Sequence, residues 1–163
     1  ETGLPIPYGT ECPPVYMNSS YLDTDCEVLR KGVLLRKNHC RLSVVIEDPD
    51  HFPFGLAIRG CVAGYGTDGV PLNGAFFYEV KSVHDGNWTV SVPRQTDNSM
   101  MLEVGDGTAV LKTFALGEYI HASGYDWNAA DLKDITVGID YTRTKLTVSV
   151  RGWDEVYEFD VVI

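Results

Sequence analysis

The chain has no apolar run approaching the ~18–20 residues that a helix needs to cross a bilayer, so no membrane insertion by this segment is expected. It is poor in positive charge: 13 Lys and Arg stand against 23 Asp and Glu, for a net charge of −10. Nucleic acid is therefore excluded as the expected partner, because phosphate binding draws on clustered basic side chains. The four histidines, His39, His51, His84 and His121, show no HExxH or HxH spacing, and no two cysteines form a CxxC pair. No metal or other cofactor is expected on those grounds. There is no GxSxG elbow, no Walker lysine and no GxGxxG leading into a helix. Nucleophilic and phosphate-cradling chemistry thus lack their usual carriers, so no catalytic residue is assigned and no enzyme is expected. Internal repeats, low-complexity tracts and linkers are also missing.

What is present is a period of two. Leu42, Val44 and Ile46 alternate with smaller or polar neighbours. So do Ile135, Val137 and Ile139, then Leu146, Val148 and Val150, then Tyr157, Phe159 and Val161. Such alternation marks strands with one wet face, the habit of antiparallel sheets. Gly, Asp and Pro separate the runs, as at Asp48-Pro49-Asp50, Asp85-Gly86, Gly105-Asp106-Gly107 and Arg151-Gly152. The expected fold is an all-β antiparallel β-sandwich, jelly-roll or immunoglobulin-like, with eight to ten strands. One helical turn is expected near 126–132, capped by Asp126. The chain is read as one domain over 4–163, after a scar, Glu1-Thr2-Gly3, of the kind left by a cleaved secretion leader.

Four cysteines in a secreted chain predict two disulfides. If Leu42–Glu47 and Leu56–Val62 form a hairpin, Cys40 falls close to Cys61, leaving Cys12 to Cys26. Cys12–Cys61 with Cys26–Cys40 is the alternative. The expected bridges would staple the Pro-rich segment 4–39 to the sandwich. Asn18-Ser19-Ser20 and Asn87-Trp88-Thr89 are N-glycosylation sequons, so both asparagines are expected to face solvent.

Candidate contact residues are of two kinds. Phe52 and Phe54 flank a proline in a turn, and Trp127 and Trp153 lie in or near turns. Aromatics so placed serve as partner anchors. Trp88 alternates with Val90 and Val92 and is expected in the core. Arg30, Lys31, Arg36, Lys37 and Arg41 crowd basic charge into one stretch of an acidic chain, which would steer an acidic partner or a sulfated glycan. Glu47, Asp48 and Asp50 form a weak calcium candidate through their oxygen ligands.

Leu42–Ile46, Gly55-Leu56, Gly86-Asn87-Trp88 and Leu102–Asp106 together loosely resemble the β-1,3-glucan-binding modules of invertebrate pattern-recognition proteins. The likeness covers about 65 residues and leaves out Cys61, the glycine-rich loop and the last three strands. It implies a carbohydrate-binding alternative. The main expectation is a secreted or cell-surface binding domain engaging an extracellular protein. A glycan partner comes second, and an enzyme with a noncanonical site third.

Overall fold

The computed structural model describes residues 3–163. The reading of Glu1 and Thr2 as a leader scar lies outside the described residues. The architecture is an all-β sandwich of two sheets. The first contains β1 (Leu4–Pro5), β5 (Gly55–Tyr65), β6 (Pro71–Val80), β9 (Met101–Gly105) and β10 (Val110–Phe114). β5 is its axis. One edge pairs with β6 along its length, and the other is shared by β9 near Gly55–Arg59 and β1 near Gly64-Tyr65. The second sheet runs β13 (Val156–Asp160), β12 (Lys145–Val150), β11 (Ile135–Asp140), β4 (His39–Glu47), β8 (Asn87–Pro93), β7 (Ser82–His84). A two-residue ladder, β2 (Tyr16–Met17) with β3 (Arg36–Lys37), stands apart.

Among the described residues the sandwich is antiparallel except at one pair. β4 and β11 run parallel, with Leu42 beside Ile135 and Glu47 beside Asp140. This pairing sets the location of the candidate site, because it puts the C-terminal ends of two central strands at the same pole.

The alternating residues go inward as their spacing requires. Leu42, Val44, Trp88, Val90, Ile135, Val137, Leu146 and Val148 face Leu56, Ile58, Phe76, Leu102 and Val104 across one continuous core. Each fully buried Val, Leu or Ile contributes roughly 1.5–3 kcal/mol. Trp88 is buried as its alternation implied.

The helix is not where Asp126 suggested. α1 is Leu116–Ala122, which buries Leu116 and Ile120, one turn apart. Gly117 lets it sit close: a side chain there would collide with the Asn98 carbonyl. At 126–132 the chain makes a turn. The Asp126 carboxylate accepts the Asn128 amide, and Ala129 N–H closes on the Asp126 carbonyl. The chain then crosses to β3 through Leu132 N–H and the Lys37 carbonyl rather than winding on.

The disulfide expectation is corrected. All four cysteines are free. β4 and β5 lie in different sheets, so the hairpin that placed Cys40 near Cys61 does not exist. Cys40 faces the carbonyl of Lys133, while Cys61 contacts Gln95 and Thr96. Cys12 is buried and Cys26 exposed. Backbone pairing does the work assigned to the bridges. Ile6 N–H meets Ala63, Gly9 N–H meets Phe77, and Cys12 N–H meets Ser91. Glu11 accepts the Ser91 amide, and Ile6 and Val15 enter the core.

Tyr65 locks the pole from which β4 and β11 start. Its ring is fully buried; its hydroxyl donates to the Asn38 carbonyl and accepts the Arg94 amide at 2.8 Å. Arg94 in turn donates to Asn38 Oδ1 and to the carbonyls of Trp127 and Ala129. Tyr65→Phe leaves two backbone groups unpaired and should lower stability by about 1–3 kcal/mol, read from urea midpoints at unchanged slope.

Candidate functional site

A concavity of about 910 Å³ opens at the other pole. Three connections form it: the loop after β4, the Asp85-Gly86 turn between β7 and β8, and the turn between β11 and β12. They meet because β4 and β11 end there and β8 begins there.

Each connection is fixed by its own side chains. The Asp48 carboxylate accepts the amides of Asp50 (3.1 Å) and Phe52 (3.0 Å). This holds the turn in which His51 takes a left-handed φ of 50°. Asp140 accepts the amides of Thr142 and Arg143, both at 2.9 Å. Gly86, at φ 76°, sets its carbonyl against the Ile46 amide, 2.8 Å away. A β-carbon there would stand 2.9 Å from the Ile46 oxygen.

The wall is aromatic. Phe54 stacks on Tyr141, with ring centres 5.1 Å apart, and Phe52 tilts against Phe54 at 4.7 Å. Phe52 remains 44% exposed, so the aromatic surface is presented at the mouth. Burial, with a smaller contribution from Asp48, raises the Tyr141 phenol above its usual pKa, so the ring is neutral at physiological pH. The cleft is also lined by Glu47, Asp48, Asp85 and Asp140. Among the described residues none of these four carboxylates forms a salt bridge. The cleft's one arginine, Arg143, is turned to Glu158 at 3.2 Å.

The structure therefore brings Phe52, Phe54, Glu47 and Asp48 to one place and separates the other candidates. Trp127 is corrected: it is buried, edge-on to Tyr125, and serves the core rather than a contact. Trp153 is half-buried against Tyr157 and borders a shallow groove with Arg41 and Arg151. The calcium candidate is corrected too. Asp48 spends both oxygens on backbone amides, and among the described residues no cluster of three or more His, Cys, Asp or Glu could hold a metal.

The basic stretch lies at the opposite pole. Arg36 pairs with Asp131 at 2.8 Å and Lys37 with Asp134, and Arg41 donates its backbone amide to Asp134. Arg30 and Lys31 lie farther out, in the exposed loop between β2 and β3. Asn18 and Asn87 are both exposed. Sequence reasoning missed Tyr141, Asp85 and Asp140. Their only signal was turn composition, which gives no hint that three distant turns converge.

No known family pattern matches the sequence, and no curated protein is similar to it. Among solved structures, a candidate adhesin from Bacteroides ovatus superposes with a TM-score of 0.61 at 12% identity, over 98% of this chain and 62% of that one. The likeness shows the fold, an antiparallel β-sandwich, and nothing beyond it. The chain spans less than two thirds of that protein's length. A candidate adhesin from Bacteroides thetaiotaomicron (TM-score 0.48, 13% identity, 78% of this chain and 54% of that one) is similar over a smaller part. So is the fimbrial anchor protein Mfa2 from Porphyromonas gingivalis (TM-score 0.45, 17% identity, 73% and 48%).

Proposed function

We propose that this chain is a non-enzymatic cell-surface adhesion domain that grips an extended, basic and apolar segment of a partner protein in the aromatic cleft. The observation that carries the reading is the Phe52–Phe54 pair, backed by Tyr141, in a cleft whose carboxylates form no salt bridge among the described residues. Aromatics give large contact area with few rotatable bonds. Carboxylates at the rim without a salt bridge keep their negative charge uncompensated, which selects a positively charged ligand and repels an acidic one. The adhesin-like fold supports the surface role.

A sugar ring is less well matched. Phe52 stands 52° from the plane of Phe54, so the two offer a pocket wall instead of a flat stacking platform. Arrays of synthetic peptides and of glycans, probed with the folded domain, test the reading. Signal is expected on peptides that combine Lys or Arg with Leu or Val. Phe52→Asp should weaken it about tenfold or more, the equivalent of about 1.4 kcal/mol. Glycan signal that survives Phe52→Asp, with none on peptides, would replace the proposal.

A further inference from the structure

The loop between β2 and β3, residues 18–35, contains no strand or helix and is exposed at every position. It is nonetheless rich in large apolar side chains. Tyr21 is 99% exposed and Val28 75%, and Leu22, Val33, Leu34 and Leu35 are each more than half exposed. Loops longer than ~12–15 residues without secondary structure are uncommon in compact domains and usually functional. Contiguous exposed apolar surface marks contact with something else.

The base of this arm is fixed. The β2–β3 ladder closes it, Asn18 Nδ2 donates to the Leu34 carbonyl at 2.9 Å, and Arg36 and Lys37 pair with Asp131 and Asp134. Backbone and polar groups make these ties, so the exposed apolar side chains, those of Leu34 and Leu35 included, remain free to meet a partner. Arg30 and Lys31 have no salt bridge among the described residues; the Lys31 ammonium rests on the Tyr21 carbonyl at 2.5 Å.

The arm's sequence Val28-Leu29-Arg30-Lys31-Gly32-Val33-Leu34-Leu35 is basic and apolar. That is the chemistry the cleft selects. The two surfaces sit at opposite ends of β4: the arm before its first residue, His39, and the cleft beyond its last, Glu47. At ~3.3 Å per residue, they are separated by roughly 26 Å of strand. No arm residue lines the cleft of its own chain.

We propose that the cleft's partner is a second copy of this chain, whose 18–35 arm enters the cleft with Leu34 and Leu35 against Phe52 and Phe54, and Arg30 and Lys31 toward Glu47 and Asp85. This rests on the cleft being a protein-binding site, as argued above. The contact is heterologous, since different surfaces of the two copies meet. Each bound copy therefore still offers a free arm at one end and a free cleft at the other. Such contacts propagate head to tail unless their rotation closes a ring. Because the complementary charges lie at the rim, the association weakens as salt screens them.

Mass measurements over a concentration series test the proposal, with melting curves to confirm that every variant folds. The wild-type chain should grow from monomer through dimer to larger species as concentration rises, less so at high salt. An arm variant, Leu34→Asp with Leu35→Asp, should be monomeric. A cleft variant, Phe52→Asp, should be monomeric as well. An equimolar mixture of the two should form a 1:1 dimer and stop there, since it joins one intact cleft to one intact arm. A wild-type monomer at all concentrations overturns the inference, and so does a mixture that stays monomeric. If the wild type is monomeric while its cleft still holds basic peptides in a Phe52-dependent way, the protein-binding reading stands and only self-association falls. If Phe52→Asp changes neither measurement, both fall.

Discussion

Trp88→Ala should cost the domain about 3–5 kcal/mol, the range for deleting a buried aromatic. Trp88 sits opposite Val44 on one side and Ser82 on the other and is only 4% exposed. It belongs to the core and also forms part of the cleft floor. Removing it leaves a void between the sheets and loosens the seat on which the Asp85-Gly86 turn rests. For a domain of this size, about 2–4 °C of melting temperature accompanies each kcal/mol, so a fall of roughly 6–20 °C is expected. Phe52→Ala should behave oppositely. Phe52 is 44% exposed, and truncating it should cost under about 1 kcal/mol of transfer free energy while reducing peptide binding. Measured together, the pair separates the residue that builds the cleft from the residue that uses it. Similar melting losses for both would mean that Phe52 supports the fold rather than the contact surface.

The contrast between those two residues also shows what the sequence made legible. Period-two alternation fixes the face of each strand locally, so Leu42, Val44, Ile135, Val137, Leu146 and Val148 could be placed inward from spacing alone. Which strands are neighbours is a non-local matter. Leu42–Glu47 and Gly55–Tyr65 are adjacent in sequence, yet they lie in different sheets, and β4 pairs instead with β8 and β11. The loop between them carries Asp48, whose two amide bonds shape a turn that crosses from sheet to sheet as readily as it would close a hairpin. The disulfide assignment failed at that step.

The helix was missed because α1 is short and its inward residues, Leu116 and Ile120, offer a single repeat of helical spacing. Asp126 drew the helical reading because capping chemistry and turn chemistry are locally the same: a carboxylate accepting an amide two residues on. The site was half visible. Phe52 and Phe54 stood out as aromatics in a turn, while Tyr141 joins them only because β11 runs parallel to β4. Trp127 looked equally exposed by its position near a turn. It is buried because Arg94 pulls its backbone against the sandwich.

The cysteines supply the prediction with the widest dynamic range. Burial pushes the Cys12 and Cys40 thiols from about 9 up to about 12; bonding to Ser91 and Tyr125 respectively offsets part of that rise. Cys26 lies exposed in the arm. A rise of three pKa units leaves about a thousandth of the thiolate an ordinary thiol would offer at pH 8, and only the thiolate reacts. Iodoacetamide should therefore modify Cys26 readily and Cys12 and Cys40 at least about a thousandfold more slowly in the native protein. In denaturant all four should react without added reductant. The same shifts dictate an alkaline instability. Between about pH 9 and 12 the unfolded chain releases protons that the folded chain retains, so stability is intact below pH 9 and drains as pH rises through that window. Each thiol then contributes up to a tenfold loss in the folding constant per pH unit. Tyr65 and Tyr125, raised further by burial, add to the loss from about pH 10 upward. Urea midpoints at pH 8, 9.5 and 10.5 should fall progressively, and replacing both Cys12 and Cys40 by alanine should flatten the first step. A Cys40 that resists alkylation in denaturant until reductant is added would instead be bridged, and would restore the disulfide expectation that the free thiols set aside.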